Sequence, residues 1–214
     1  MSEKTTVCSH TVADFQAYPG YATSRPPAVS AIPDDIQCLR LWDAFGMLPN
    51  IRAHSELVGH MATSLAECAH EAGLAVDVAA VRAAALLHDL AKTYTIRYGG
   101  NHCQLGGAWI EELTGNPALA QGVIFHVAWP GELDIRKHFL PLVLIYSDKR
   151  VKHNQIVPLE SRFDDLLVRY GKTEQIRARI LESFQQAEAI ERALTATLGI
   201  KLHECTFGCR RLVR

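Results

Sequence analysis

An apolar run that ends in a polar pair constrains this chain more than any other feature. In the segment Val81–Leu90 every residue is small or apolar except Arg82 and the adjacent pair His88-Asp89. The run predicts a helix, and at least one member of the pair must then face packed structure. A buried imidazole or carboxylate is costly unless it has a partner, which can be a hydrogen-bond donor or a cation. The run alone does not choose between these two partners.

Two further polar residues fall on apolar helical faces. Leu57 and Val58 follow His54 at helical spacing, and Leu144 precedes Asp148 by about one helical turn. Both polar side chains are therefore predicted to lie on buried stripes. An unpaired carboxylate on such a face would be costly, so Asp148 also needs a partner.

Two more histidines stand at the ends of predicted helices. His126 ends a short apolar run, and His102 opens a helix behind the capping residue Asn101. Gly106 and Gly107 follow in that helix, although glycine is a poor helix former. Glycines at such positions suit a place where a neighbouring backbone or a ligand must come close.

These residues are more informative together than singly, because a single buried histidine is commonly a hydrogen-bonded core residue. Four imidazoles and two carboxylates form a mixed nitrogen and oxygen set that suits Zn, Mn or Fe and is large enough for two ions. Paired ions favour phosphoester chemistry, because they stabilise both the attacking and the leaving oxygen. The candidate ligands are His54, His88, Asp89, His102, His126 and Asp148.

The order of these residues resembles that of the HD-domain superfamily of metal-dependent phosphohydrolases. The resemblance covers residues 34–170 and consists of a helix-borne histidine, a His-Asp doublet and a distal aspartate. His54, the pair His88-Asp89 and Asp148 match these three elements in the required order.

The short sequence stretches around these residues resemble motifs of the same family. The stretch LLHDLAK at 86–92 is close to the doublet motif, and the tripeptide SDK at 147–149 resembles the distal motif. His102 and His126 resemble the two intervening histidines of the dinuclear subgroup. That subgroup includes hydrolases that split dinucleoside polyphosphates symmetrically.

The resemblance implies an all-α fold, an HD-domain helical bundle with a metal site in its core. It implies one or two divalent ions, Fe, Mn, Co or Zn, with Asp89 as the bridging ligand and a bridging water as the nucleophile. The second ion would be held by His102 and His126, and the first by the remaining set: His54, His88, Asp89 and Asp148.

The implied activity is hydrolysis of a phosphoester or phosphoanhydride bond of a nucleotide or dinucleotide by metal-bound hydroxide. Besides Asp89, Lys92 is a candidate catalytic and substrate-binding residue, since it lies three residues after Asp89 on the same helical face. The alternative is a lysine favoured near a helix C-terminus by the helix dipole. Further cations are candidates for phosphate contacts if their helices converge on the site: Arg52, Lys149, Arg150 and Arg162.

Two other functions remain open at this stage. Some members of the superfamily use a similar six-ligand set as di-iron oxygenases that act on a small polyol or phosphonate. Oxygen consumption and a redox-active iron pair would distinguish that activity from hydrolysis, which should proceed anaerobically with several divalent ions. The other rival, a non-catalytic binding module, is disfavoured because the ligand set is intact.

Composition narrows the class of protein. A chain of 214 residues with 48% hydrophobic content can form one domain with a sizeable core. The net charge of −1 argues against an extended nucleic-acid surface and favours a phosphorylated small molecule as the partner. No stretch has the length of a membrane span and no secretory signal opens the chain, so a cytoplasmic location is expected. The oligomeric state is left open, with a homodimer among the alternatives.

The chain divides into an extended or disordered arm (1–33), the HD-type catalytic domain (34–170), and a C-terminal helix and tail on the same domain (171–214). Capping residues and periodicity predict no strand pair and eight helices, at about 35–45, 51–72, 78–92, 101–113, 117–127, 137–152, 158–170 and 173–198. Asp34, Asn50, Asp77, Asn101 and Asn116 are the predicted caps. The loops 93–101 and 128–136 are candidate lids.

The six cysteines lack the dense spacing of a disulfide framework, so reduced core thiols are expected. His203, Cys205 and Cys209 in the tail could bind a metal or form a redox pair. Their spacing matches structural zinc patterns poorly, and an ordinary C-terminus is the alternative.

Overall fold

The structure is a computed structural model that describes residues 26–202. This part of the chain contains one antiparallel hairpin, β1 (Val151–Lys152) and β2 (Gln155–Ile156). All its other regular structure is helical: α1 (Asp35–Ala44), α2 (Pro49–Glu71), α3 (Val78–Leu87), α4 (Lys92–Tyr98), α5 (His102–Thr114), α6 (Pro117–Phe125), α7 (Phe139–Arg150), α8 (Leu159–Tyr170) and α9 (Glu174–Leu198). The predicted all-α class is confirmed for these residues.

Most helix starts follow the predicted capping chemistry. The side chains of four predicted caps accept hydrogen bonds from backbone N–H groups of the first turn: Asp34, Asp77, Asn101 and Asn116. The prediction for Asn50 is wrong, because α2 already begins at Pro49 behind Leu48. Proline suits the first helical position, where a missing N–H leaves no intrahelical bond unmade.

The helix predicted at 78–92 ends earlier, at Leu87. Residues 88–91 form a tight turn, in which the N–H of Leu90 donates to Leu87 O and the N–H of Lys92 donates to Asp89 O. Helix α4 then occupies most of the segment that was predicted as the loop 93–101. The helix therefore ends just before His88 and Asp89. Their backbone lies in a turn that is closed by hydrogen bonds between residues three positions apart.

The helix predicted to run to residue 152 ends at Arg150 and gives way to the β1–β2 hairpin. His153 adopts a left-handed conformation at φ 56°, which supplies the tight reversal between the two short strands. The absence of a strand pair was therefore a wrong prediction. A pairing of two residues per strand is too short to leave a period-two signal in the sequence.

The helices that carry the candidate ligands are fastened through one core. Helix α2 packs along α3 and α7, and α5 packs along α6. The buried Nε1–H of Trp42 in α1 donates to Leu86 O at 2.9 Å, near the end of α3. Arg82 of α3 makes a bidentate ion pair with Asp35 of α1, at 2.6 and 2.7 Å. These contacts fix the C-terminal end of α3, where the His-Asp pair lies.

The C-terminal helix covers the outer side of this core. Helix α9 packs on α7 and α8, with the rings of Phe163 and Phe184 5.0 Å apart. The Tyr146 hydroxyl of α7 donates to Glu191 at 2.6 Å.

Parts of the predicted arm and tail, residues 1–25 and 203–214, lie outside the described residues. His203, Cys205 and Cys209 are among them. Between residues 26 and 202, no helix combines the length and apolar character needed to cross a membrane.

Candidate metal centre

The six predicted ligands lie together in the interior. The imidazole rings form a row in the order His54, His88, His126, His102, with neighbouring centroids 5.4, 5.0 and 5.1 Å apart. Asp148 lies at one end of the row, with Oδ1 2.9 Å from His54 Nε2. Asp89 lies alongside the other three rings, with Oδ2 3.4 Å from His88 Nε2 and Oδ1 3.4 Å from His102 Nε2.

Five elements deliver these side chains. His54 projects from α2 and Asp148 from the adjacent α7. His88 and His126 are the residues at the C-terminal caps of α3 and α6, Asp89 follows His88 in the turn after α3, and His102 is the first residue of α5. The site is thus built largely from helix ends that converge on the middle of the bundle, a place where facing helices can present ligands inward.

Two glycines let α5 come close enough to its neighbours to place His102 in the cluster. A Cβ on Gly106 would lie 3.1 Å from Val123 Cγ1 of α6, and a Cβ on Gly107 would collide with the Ile124 side chain. The same Cβ on Gly107 would lie 3.2 Å from the carbonyl oxygen of Ala120. The expectation that these glycines mark a close backbone approach is confirmed, and α6 is the approaching element.

Replacing Gly107 with valine should therefore separate α5 from α6. We expect a loss of about 1–3 kcal/mol in the free energy of unfolding, the usual cost of overpacking. We also expect weaker metal binding by the histidines at 102 and 126. Thermal unfolding followed by circular dichroism and a zinc titration would measure both effects. Ala108→Val is the matched control, since residue 108 lies next in the same helix but is exposed. Equal effects of the two substitutions would contradict the packing argument.

Backbone carbonyls orient two of the four rings. His88 Nδ1 lies 2.7 Å from Ala85 O, and His126 Nδ1 lies 2.7 Å from Val123 O. A carbonyl oxygen only accepts, so Nδ1 carries the proton in both rings. In the neutral form of either ring, the lone pair is then on Nε2, the nitrogen that faces the cluster. Metal-binding histidines are commonly oriented by such a bond from the other ring nitrogen.

Two buried atoms of the candidate ligands have no hydrogen-bond partner among residues 26–202. They are His88 Nε2, on a side chain that is fully buried, and Asp89 Oδ1. His88 Nε2 lies 3.4 Å from Asp89 Oδ2 and 3.8 Å from Asp148 Oδ1. These separations are too long for good hydrogen bonds. Around an ion with ligand distances of about 2.1 Å, neighbouring donor atoms lie about 3.0–3.4 Å apart, so the arrangement fits a cation.

Three overlapping groups of donor atoms, each group within 4.8 Å, can hold a metal ion: His54, His88 and Asp148; His88, Asp89 and His126; and His102, Cys103 and His126. Asp89 belongs to the middle group and also contacts His102, so it lies between the two ends of the cluster. This is the position that a bridging carboxylate requires.

Both carboxylates are held in the ionised form. Burial alone would raise the pKa of Asp89, but the charges of His88 and Lys92 outweigh it and hold that pKa well below its usual value. Burial would likewise raise the pKa of Asp148, and the neighbouring Lys149 and His54 keep it well below the usual range. Two ionised carboxylates in a dry interior supply the charge that a divalent cation needs.

The histidines differ in how readily they bind a proton. Burial, reinforced by the charge of His88, lowers the pKa of His126 to about 3. Burial also lowers the pKa of His102. For His88 burial works in the same direction, but Asp89 and Asp148 raise its pKa overall. His102 and His126 are therefore neutral at neutral pH and could bind a metal without losing a proton, whereas a metal would have to compete with a proton at His88.

Two lysines lie against the carboxylates. Lys92 Nζ donates to Asp89 Oδ2 at 2.7 Å, and Lys149 Nζ donates to Asp148 Oδ2 at 2.7 Å. The Lys92 side chain is 38% exposed and that of Lys149 only 8%. Lys92 therefore reaches both the cluster and solvent, as a group that contacts a substrate must, whereas Lys149 is placed to orient a ligand.

Arg52 and Arg150 form hydrogen bonds with protein groups outside the cluster. The Arg150 guanidinium bonds to the Tyr146 hydroxyl, to Val157 O at 2.6 Å and to Leu202 O at 3.1 Å. Arg52 donates to Asp43 and to the carbonyl oxygens of Trp42 and Met47. The substrate-binding role predicted for Arg150 has no support in these contacts, because a buried guanidinium with this many protein acceptors has few donors left for a phosphate.

The sequence reasoning missed one residue of the cluster. Cys103 was expected to be an ordinary core thiol, yet its Sγ lies 3.7 Å from His102 Nε2 and 3.9 Å from His126 Nε2. Burial raises its pKa to about 11. Its position directly after a candidate ligand at the start of a helix was the signal that could have indicated it.

Comparison of the whole chain with protein-family models, curated proteins and solved structures found no match.

Proposed function

We propose that this protein is an HD-type, metal-dependent phosphohydrolase that acts on a phosphorylated small molecule, in the first place a nucleotide or dinucleotide. One observation carries the proposal: four imidazoles and two ionised carboxylates meet in the interior, and two of their buried donor atoms lack any hydrogen-bond partner among the described residues. Buried polar atoms in native proteins are normally satisfied, so an orphaned pair in such a cluster points to a cation as the partner.

The cluster divides into two metal sites that share Asp89. His54, His88 and Asp148 would hold one ion together with Asp89 Oδ2, and His102 and His126 would hold another together with Asp89 Oδ1. Imidazole and carboxylate donors suit Fe, Mn, Co or Zn. Bound ions of this kind stabilise charge on phosphoryl oxygens and make water more acidic.

The chain's own cations would receive the phosphate. Lys92 stands at the solvent edge of the cluster, where burial lowers its pKa but Asp89 and Asp148 raise it overall, and the charge of Arg162 of α8 slightly opposes that rise. The Arg162 guanidinium pairs with Asp165 at 3.4 Å, and its buried Nε–H has no hydrogen-bond partner among residues 26–202. An ammonium and a guanidinium beside a metal centre favour an anionic substrate that carries several phosphoryl oxygens.

An anaerobic hydrolysis assay tests the function. The protein is supplied with Mn, Fe, Co or Zn, and the release of phosphate or nucleotide is measured from mononucleotides, dinucleoside polyphosphates and cyclic dinucleotides. We expect metal-dependent turnover of at least one compound without oxygen. The proposal would be wrong if the iron-loaded protein takes up oxygen with a polyol or phosphonate and hydrolyses no compound of the panel. The protein would then be an oxygenase.

Removal of the Lys92 ammonium should damage substrate binding more than metal binding. A hydrogen bond to a charged group contributes about 1.5–3 kcal/mol, so Lys92→Ala should lower kcat/KM by about 10–100-fold. Lys92→Arg should retain more of the activity. Lys137→Ala is the matched control, because Lys137 is also paired with an aspartate three residues earlier but at an exposed position. Unchanged kcat/KM in Lys92→Ala would remove Lys92 from the substrate site.

A further inference from the structure

Cys103 belongs to the second half of the cluster by position. It lies in the first turn of α5 directly after His102, and it is 7% exposed. Its sulfur approaches the Nε2 atoms of two candidate ligands, at 3.7 Å from His102 and 3.9 Å from His126. The two Nε2 atoms are themselves 3.3 Å apart. Three donor atoms from two helices therefore form a compact triangle.

The triangle has the dimensions of a face of a zinc site. With Zn–N bonds of about 2.0–2.1 Å and Zn–S bonds of about 2.3 Å, a tetrahedral site has N···N edges of about 3.4 Å and S···N edges of about 3.6 Å. The distances between the three donor atoms match these edges within about 0.3 Å.

A fourth donor points toward the same place and has no hydrogen-bond partner among the described residues. Asp89 Oδ1 is buried and lies 3.4 Å from His102 Nε2 and 3.7 Å from His126 Nε2. The case for a metal site therefore does not depend on the cysteine alone, because an unpartnered carboxylate oxygen lies close to both imidazole nitrogens of the triangle. A cation in contact with all four groups would satisfy this oxygen.

We propose that Cys103 is a metal ligand, so that the second site is a sulfur-containing site formed by His102, Cys103, His126 and the shared Asp89. This inference rests on the proposed metal centre and assigns it a donor outside the imidazole and carboxylate set. On binding, the thiol gives up its proton to solvent and the thiolate bonds to the ion. The other half of the cluster, with His54, His88 and Asp148, has only nitrogen and oxygen donors.

A thiolate makes the two halves of the cluster prefer different metals. Sulfur favours Zn and other borderline or soft ions, whereas carboxylate and imidazole sets accept Mn as well. The second site should accordingly select Zn, Co or Fe over Mn. The first site should be less selective.

Cobalt spectroscopy of the full-length protein tests the proposal. Co²⁺ is titrated into the metal-depleted wild type, and the ligand-field bands in the visible are recorded together with the sulfur-to-cobalt charge-transfer band in the near ultraviolet. We expect both sets of bands in the wild type. In Cys103→Ser and Cys103→Ala we expect the charge-transfer band to disappear while ligand-field bands remain. Zn²⁺ affinity of the second site should fall by about tenfold or more in both variants, with a smaller loss for Mn²⁺.

The double variant Cys205→Ser/Cys209→Ser is the control, since it removes the tail thiols and leaves Cys103 intact. Its charge-transfer band should persist. Cobalt binding by the wild type without a charge-transfer band, or a band that survives in both Cys103 variants, would overturn the sulfur ligand and leave the metal centre standing. No cobalt binding at all would overturn the metal centre itself and the sulfur ligand with it.

Discussion

Asp89→Asn is expected to abolish metal-dependent hydrolysis and to weaken metal binding at both halves of the cluster. The carboxylate lies between the two groups of histidines, with Oδ2 3.4 Å from His88 Nε2 and Oδ1 3.4 Å from His102 Nε2. The amide keeps the shape of the side chain but removes its charge and one acceptor oxygen. Loss of a ligand's supporting partner already costs about 10–100-fold in metal affinity, so loss of a shared ligand should cost more than about 100-fold.

Isothermal titration with Zn²⁺ and the anaerobic hydrolysis assay measure this prediction. Asp134→Asn is the matched control, because Asp134 also pairs with a lysine three residues later, at 3.1 Å from Lys137, but outside the cluster. The control should keep its metal stoichiometry and its activity. Circular dichroism of Asp89→Asn in the presence of a chelator would show whether the helices still form. Full activity in a folded Asp89→Asn protein would rule out the bridging role.

Addition of a divalent metal should raise the Tm of the protein by about 5–10 °C. A ligand that binds only the native state, held at about 100 times its Kd, stabilises that state by about 2.7 kcal/mol, and a chain of this size gains about 2–4 °C for each kcal/mol. The physical reason lies in the buried charges. Asp89 and Asp148 are ionised in the interior, and the buried Asp89 Oδ1 and His88 Nε2 gain from the cation a partner that the described residues do not supply.

Differential scanning calorimetry at several zinc concentrations checks this prediction. Variants of the candidate ligands assign the rise in Tm to one or the other metal site. His126→Ala should lose the second ion and keep part of the stabilisation, whereas His54→Ala should weaken the first site. His70→Ala is the control, because His70 is an exposed histidine in the last turn of α2. A Tm that does not respond to Zn, Mn, Co or Fe would contradict a native-state metal centre.

Local sequence patterns predicted the helices and the burial of their polar residues well. The bounds of α1, α2, α5, α6, α8 and α9 lie within two residues of the predicted ones. Capping side chains and the 3.6-residue period act over a few residues of chain, so they can be interpreted without knowledge of the packing. For the same reason His54 and Asp148, on apolar stripes, were correctly predicted to be buried.

The end of α3 could not be predicted in the same way. Leu90 and Ala91 continue the apolar pattern of the helix, yet they lie in a turn and are fully buried. Their burial comes from neighbouring elements, including α5, which approaches Ala91 at Gly106. A periodic pattern does not distinguish a helix that continues from a turn whose residues are covered by other segments.

The sequence by itself determined most of the helices, the all-α class and the six polar residues that need a partner. The tertiary structure alone decided which side chains meet: Cys103 lies against His102 and His126, whereas Arg150 bonds to Val157 and Leu202. The physical reason is that burial and helix formation are governed by near neighbours along the chain. The distance between donor atoms on different helices depends instead on how closely those helices pack, here set by the glycines between α5 and α6.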